Sequence, residues 1–218
     1  MSKNETENCK VSDKKADDLS HAVAALKRGE VIVYPTETLY GLGADALNLD
    51  AVEKVFQLKG RDPQTPIPVL VADREMLGAL VDEIPALAKK LMAKFWPGPL
   101  TLVLPARRDV PRPLLNSSGA VGVRISSQPI ATEIVRVLGH PLTATSANPS
   151  GLTPARTVQQ AKNYFAGEIE VFIDAGELTS KSGSTVVEIG NNAITIIREG
   201  EIGRSELQSA VGESEVIR

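Results

Sequence analysis

The alternation of two hydrophobic periods along the chain is the feature that most restricts its fold. Short runs rich in β-branched residues, of which VIVYP at 31–35 is the first, have the composition of buried strands. Between them lie segments such as 17–30, whose apolar residues recur at helical spacing. Helices alternating with strands cover the faces of a sheet. The sequence therefore predicts an α/β fold, with a mixed, twisted sheet and flanking helices.

These periods place each element at a definite position in the chain. Helices are predicted over 17–30, 50–60, 85–96, 130–139 and 157–167. Strands are predicted over 31–35, 67–73, 99–106, 120–126, 141–146, 171–176, 184–190 and 193–200. Thr157, with Gln160 three residues later, has the pattern of a capping box. Residues 1–15 are predicted to be a polar tail, 16–208 one folded domain and 209–218 a C-terminal tail.

Composition excludes several classes of protein. The chain has 218 residues and a net charge of −3, so a uniformly basic nucleic-acid-binding surface is not expected, although a local basic pocket is compatible with that charge. Its one cysteine, Cys9, argues against a disulfide framework and a cysteine-rich metal site. No apolar run has the length of a membrane span, and the polar N-terminus does not resemble a secretory signal. We therefore expect a cytoplasmic protein.

The segment LKGRDPQTP at 58–66 places two cations, Lys59 and Arg61, on either side of Gly60. Spacing alone favours a solvated loop with two surface charges. Glycine permits close approach of the backbone to a ligand, and the two prolines reduce the entropy lost when the loop becomes ordered. Lysine and arginine both pair with phosphate oxygens. The functional interpretation is therefore a polyphosphate-binding loop.

The segment PTETLYGLGADA at 35–46 contains a G-x-G-x-x-A pattern formed by Gly41, Gly43 and Ala46. A dinucleotide-binding turn needs its glycines directly after a strand and at the start of a helix, and here neither condition holds. The hydroxyls of Thr36 and Thr38, just past a predicted strand, are the better candidates for ligand contacts. The alternative is that they only satisfy the backbone of a turn.

The segment TATSANPSG at 143–151 presents hydroxyls, an amide and turn N–H groups immediately after a predicted strand. Such groups together form a cradle for an oxyanion or a phosphate. A serine nucleophile would need a nearby base, and the two histidines of the chain, His21 and His140, are in no recognisable triad order. The sequence therefore argues against a serine hydrolase.

Two arginines and a serine remain ambiguous from the residues alone. Arg124 lies inside the apolar run AVGVRIS, where it either points to solvent or binds a ligand carboxylate. Arg198 poses the same question at the end of the last predicted hairpin, and Ser184 opens the preceding strand.

The chain has no P-loop motif, no H-E-x-x-H and no cysteine cluster, so we expect no metal site of its own.

Taken together, these segments resemble the YrdC-like family, the threonylcarbamoyl-AMP synthases of tRNA modification. The matching pieces are YPTETLYGLGADA, VFQLKGRDPQTPIPVLVAD, FWPGPLTLVLP, VGVRIS, TATSANPSG, GSTVVEI and IREG, in family order over residues 20–203. The resemblance implies a strongly twisted mixed sheet with flanking helices and one concave basic cavity. It also implies that L-threonine, bicarbonate and ATP are converted to threonylcarbamoyl-AMP and pyrophosphate. A partner transferase would then act on tRNA, which the protein itself could also contact.

The resemblance assigns roles to individual residues. It implies that ATP is bound by Lys59, Arg61, Thr65, Ser146, Asn148 and Arg198. It implies that threonine is bound by Thr38, Arg124, the main chain at Ala144, and Ser184. Lys59, Arg61 and Ser146 would be the catalytic residues, acting by position and charge, and Mg²⁺ would arrive with ATP.

The chain differs from some members of the family in two respects, and two alternative functions also remain open. Leu70 stands where some relatives have a histidine, and the chain resembles the single-domain form rather than longer relatives with a C-terminal domain. One alternative is a non-catalytic RNA-binding module. The other is a carbamoyl-adenylate-forming relative, like the domain in hydrogenase maturation proteins, which normally lies within a much longer chain.

Overall fold

A computed structural model describes residues 17–62, 64–180, 182–190, 192–212 and 216–217. Its helices are α1 (17–27), α2 (Leu49–Lys59), α3 (Arg74–Gly78), α4 (Ala86–Phe95), α5 (Pro129–Leu138), α6 (Val158–Phe165) and α7 (Arg204–Val211). Its strands are β1 (Ile32–Pro35), β2 (Tyr40–Gly43), β3 (Val69–Leu70), β4 (Leu100–Pro105), β5 (Ala120–Arg124), β6 (Leu142–Thr143), β7 (Thr145–Ser146), β8 (Val171–Phe172), β9 (Thr185–Ile189), β10 (Ile194–Arg198) and β11 (Val216–Ile217). The polar tail expected at 1–15, with Cys9, lies outside the described residues.

The strands form two mixed sheets, where the sequence predicted one. A four-stranded sheet has the order β7-β2-β1-β8, and a seven-stranded sheet has the order β11-β10-β9-β4-β5-β3-β6. The strand expected over 141–146 divides at Ala144, whose N–H donates to the carbonyl of Pro68. As a result β6 pairs with β3 in the larger sheet, and β7 pairs with β2 in the smaller one. The α/β class with a mixed sheet and flanking helices is confirmed.

Hydrogen bonds between β2 and β6 join the two sheets. The Thr143 N–H donates to the Ala44 carbonyl, and the Thr143 hydroxyl accepts from the Ala44 N–H. The Tyr34 hydroxyl, on β1, donates to the carbonyl of Thr143 at 3.0 Å. A Cβ on Gly41 or Gly43 would lie 3.1 or 2.9 Å from the Tyr34 ring, so these glycines make room for that ring. Their spacing therefore reflects packing against Tyr34.

The core lies on both faces of the smaller sheet. Along β1 the side chain of Val33 joins the main apolar cluster, whereas Ile32 and Tyr34 face a second cluster built on α1 and α5. This alternation is the period-two pattern of a strand that is buried on both sides.

Several predicted boundaries differ from the observed ones. Neither strand β2 nor helix α3 was predicted from the sequence, and β2 contains two glycines, which are depleted in strands. The strands expected over 67–73 and 171–176 reduce to two-residue pairings, although the N–H groups of Val71 and Ile173 just beyond them still donate to Arg124 and Val33 in the neighbouring strands. The capping box at α6 is half formed: the Thr157 hydroxyl accepts from the Gln160 N–H, but Gln160 Oε1 accepts from the Arg156 N–H.

At the C-terminal end, α7 includes residues 209–211, and β11 pairs in parallel with β10. Over the described residues, no helix combines the length and apolar character that a membrane crossing requires.

Candidate functional site

A cavity of about 540 Å³, referred to below as the site cavity, is lined by residues from both sheets. Eight of the ten predicted site residues line it: Thr38, Arg61, Thr65, Arg124, Ala144, Ser146, Ser184 and Arg198. The other two, Lys59 and Asn148, are buried beside Ser146. A cavity of similar volume elsewhere is lined by Glu30, Glu168 and Glu170 and is unsuited to an anion. The motifs that are distant in sequence therefore converge on one electropositive site.

Arg61 is folded back on its own loop. Its Nε donates to the Thr65 carbonyl and its Nη2 to the Pro66 carbonyl, both at 3.1 Å. Gly60 gives the chain this direction by ending α2 in a left-handed conformation with φ of 55°. A Cβ at Gly60 would meet no protein atom within 4 Å, so within the protein it is the left-handed turn that favours glycine here. Burial lowers the pKa of Arg61, and the charge of Arg198 lowers it further.

Lys59, the last residue of α2, anchors the Ser146–Asn148 turn. Its ammonium donates to the carbonyls of Ser146 and Asn148 at 2.7 and 2.8 Å. The Ser146 hydroxyl donates to Asn148 Oδ1 at 2.6 Å, and the Asn148 amide donates to the carbonyls of Pro149 and Leu152. Burial, followed by the charge of Arg61, lowers the pKa of Lys59 to about 8. A buried cation therefore holds the turn that the sequence identified as an anion cradle.

Arg124 lies in the wall of the cavity at the end of β5. It is 5% exposed, so the alternative in which it points to solvent is wrong. Its Nη2 lies 2.7 Å from Glu37 Oε2, which also accepts a hydrogen bond from the Ser126 hydroxyl. Nε and Nη2 of Arg124 make no hydrogen bond of good geometry to the described residues, so the 2.7 Å contact is a charge pair rather than a hydrogen bond. Arg124 lines the cavity, and a guanidinium in a cavity wall suits a ligand carboxylate.

Ser184, which was predicted to bind threonine, contacts Arg198, which was predicted to bind ATP. Arg198 Nη2 donates to the Ser184 carbonyl at 2.8 Å and to its hydroxyl at 3.3 Å. The same hydroxyl lies 2.9 Å from Thr101 Oγ1, in the neighbouring strand β4. Burial lowers the pKa of Arg198, as does the charge of Arg124. Neighbouring cations that destabilise one another's charged forms are typical of a site that binds an anion.

The sequence left two roles open for the hydroxyls of Thr36 and Thr38, which could contact a ligand or satisfy the backbone of a turn. Thr36 Oγ1 donates to the Leu39 carbonyl at 2.7 Å and accepts from the Leu39 N–H, so Thr36 satisfies the turn. Thr38 Oγ1 lies 2.9 Å from Thr36 Oγ1 and lines the cavity. Thr36 therefore holds Thr38 at the cavity wall.

Sequence reasoning missed Glu37 and Thr101, both of which contact predicted site residues. Glu37 lies inside PTET, where only the flanking hydroxyls were selected as candidates, and Thr101 lies in the strand predicted over 99–106. Leu70 is 1% exposed and packs in the second apolar cluster, outside the cavity lining. Among the described residues no group of three or more histidine, cysteine, aspartate or glutamate side chains is placed to hold a metal ion.

The fold and the site together define an α/β protein whose two sheets line a cavity that contains arginine and hydroxyl side chains. The Sua5–YciO–YrdC family model, described as "Telomere recombination", matches residues 24–200. The chain belongs to this family.

Individual relatives agree with this family. The threonylcarbamoyl-AMP synthase of Pyrococcus abyssi is 37% identical over 192 residues, 88% of this chain and 56% of that relative. The threonylcarbamoyl-AMP synthase of Halorhodospira halophila is 34% identical over 82% of this chain and 93% of that relative. The crystal structure of Pyrococcus abyssi Sua5 complexed with L-threonine has a TM-score of 0.87 and 36% identity, covering 91% of this chain and 58% of that one. The chain thus spans little more than half of the Pyrococcus abyssi proteins.

Proposed function

We propose that this protein is a threonylcarbamoyl-AMP synthase, which converts L-threonine, bicarbonate and ATP to threonylcarbamoyl-AMP and pyrophosphate. The observation that carries the proposal is the convergence of Arg61, Arg124 and Arg198 on one cavity together with the hydroxyls of Ser146 and Ser184. A triphosphate and an amino acid carboxylate are both anions, and this cavity offers donors to each. Relatives that bear the name of this activity support the same conclusion.

The ATP side of the site would be formed by Arg61, Arg198 and Ser146, with a weaker contact from Thr65. The two guanidinium groups line the cavity and offer planar forks to phosphate oxygens. Lys59 and Asn148 would act from behind the wall, since they hold the main chain that carries Ser146. Mg²⁺ would enter as part of the Mg–ATP substrate.

The threonine side would be formed by Thr38, Arg124, Ser184 and the main chain at Ala144, all of which line the cavity. The guanidinium of Arg124, which lines the cavity, would receive the carboxylate of the amino acid. Because Arg198 donates to Ser184, the amino acid and the nucleotide would lie side by side.

The reaction follows from this placement. The amine of threonine and bicarbonate form a carbamate, whose oxygen attacks the α-phosphorus of ATP while the bond to pyrophosphate breaks. The cations stabilise charge that develops on the phosphate oxygens, and the enclosing walls keep water from the unstable carbamate. No nucleophilic side chain is needed, which agrees with a cavity built from arginines and hydroxyls. A partner transferase acting on tRNA in the cytoplasm would consume the product.

A substrate-omission assay tests the proposal. Pyrophosphate release and an AMP-linked product are measured with ATP while threonine or bicarbonate is left out in turn. The proposal expects both signals to require both omitted compounds. RNA binding with a steep salt dependence and no such release would instead indicate an RNA-binding module. Turnover with carbamoyl phosphate in the absence of threonine would indicate a carbamoyl-adenylate-forming enzyme.

A further inference from the structure

Thr101 is a buried hydroxyl directed at a residue of the proposed amino acid site. It is 2% exposed, and its Oγ1 lies 2.9 Å from the hydroxyl of Ser184, which is 7% exposed. A Cβ on Gly122 would lie 3.5 Å from Thr101 Cγ2, so the methyl group faces β5 while the hydroxyl faces the start of β9. Because β4 pairs with both β5 and β9, the backbone fixes this orientation.

The donors and acceptors of the Ser184 hydroxyl determine the direction of its hydrogen bond with Thr101. A serine hydroxyl has one proton to donate and two lone pairs that accept. One lone pair of Ser184 is used by Arg198 Nη2, because a guanidinium can only donate. If Ser184 donates to an anion in the cavity, the second lone pair is left for the proton of Thr101. Every group is then satisfied, and the chain of donors runs from Thr101 through Ser184 to the ligand.

We propose that Thr101 is a positioning residue that directs the proton of Ser184 toward the carboxylate of the bound amino acid. This inference rests on the proposed function. Thr101 also lines the site cavity, but in this proposal it acts through Ser184, and its removal frees the Ser184 hydroxyl to rotate away. This role differs from simple packing, because Thr101→Val keeps the shape of the side chain and removes only its hydroxyl.

The test is a mutant cycle of Thr101→Val and Ser184→Ala, with KM and kcat measured for threonine and for ATP. The loss of one neutral hydrogen bond is expected to raise the KM for threonine about three- to tenfold. The kcat and the KM for ATP stay within about twofold, and Thr101→Ser restores the wild-type KM because it keeps the hydroxyl. In the Ser184→Ala background, Thr101→Val adds less than about twofold, since the residue through which it acts is gone.

Several outcomes would overturn the inference. A full additional rise in KM in the Ser184→Ala background would mean that Thr101 contacts the amino acid directly. An equal rise in the KM for ATP, or no rise with either Thr101→Val or Thr101→Ala, would remove the positioning role. Wild-type protein that releases no pyrophosphate with threonine and bicarbonate would overturn the proposed function and this inference with it. Wild-type turnover with an unchanged KM in the variants would overturn this inference alone.

Discussion

Glu37 Oε2 lies 2.7 Å from Arg124 Nη2, and the two side chains are 16% and 6% exposed. The pair joins the turn after β1, in the smaller sheet, to the end of β5, in the larger sheet. A buried arginine needs a nearby countercharge, and Glu37 supplies it from the side away from the cavity lining. The pair thereby holds the guanidinium of Arg124 in the wall of the site cavity.

Glu37→Gln is predicted to destabilise the fold, because it leaves the buried Arg124 without its countercharge. Removing one partner of a buried ion pair lowers the free energy of unfolding by about 3 kcal/mol or more. The free energy of unfolding in urea measures the change. The matched control is Glu83→Gln, an exposed glutamate, which should change stability by less than about 0.5 kcal/mol. Equal effects of the two substitutions would contradict the structural role of the pair.

Arg124→Lys is predicted to weaken threonine binding while keeping a positive charge beside Glu37. Lysine lacks the planar fork, so the KM for threonine should rise roughly ten- to hundredfold, the equivalent of about 1.5–3 kcal/mol. The KM for ATP should change little. Arg136→Lys, at an exposed position on α5, is the control. An unchanged threonine KM in Arg124→Lys would remove the assignment.

Arg61→Ala is predicted to abolish adenylate formation without unfolding the protein. Its guanidinium lines the cavity and would contact phosphate oxygens in the transition state, so kcat/KM for ATP should fall about 10²–10³-fold. Steady-state pyrophosphate release measures this, and circular dichroism checks the fold. Arg74→Ala, at an exposed arginine of α3, should retain full activity. Near-normal turnover of Arg61→Ala would be incompatible with a phosphate contact.

Nucleotide binding is predicted to weaken as the pH rises through the lowered pKa of Lys59. Burial and Arg61 reduce that pKa to about 8, so Lys59 is charged below this pH and neutral above it. A triphosphate favours the charged form, so binding takes up a proton above pH 8. The dissociation constant for Mg–ATP should be roughly five- to tenfold higher at pH 9 than at pH 7.5. Calorimetry checks this, and a Lys59→Met variant that kept the same pH dependence would contradict the assignment.

The sequence identified the ligand-facing groups better than the groups that hold them. Arg61, Ser146 and Ser184 stand out because charges and hydroxyls follow strand or helix ends in turn-forming segments. Glu37 and Thr101 do not, because their partners Arg124 and Ser184 lie far along the chain and only the pairing of strands brings them together. Residues buried behind a site are therefore visible only in the fold.

The division of the strands into two sheets could not be predicted from the sequence either. The run from 141 to 146 has strand composition throughout, and the switch at Ala144 depends on its hydrogen bond to the distant Pro68. In the same way, the spacing of Gly41 and Gly43 is explained by the ring of Tyr34, which packs against them from the adjacent strand.

A crystal structure with L-threonine and a non-hydrolysable ATP analogue tests most directly whether one cavity holds both substrates. The account predicts the amino acid carboxylate within hydrogen-bond distance of Arg124 and Ser184, and the phosphates on Arg61, Ser146 and Arg198. Threonine and nucleotide in separate cavities, or threonine bound away from Arg124, would contradict it.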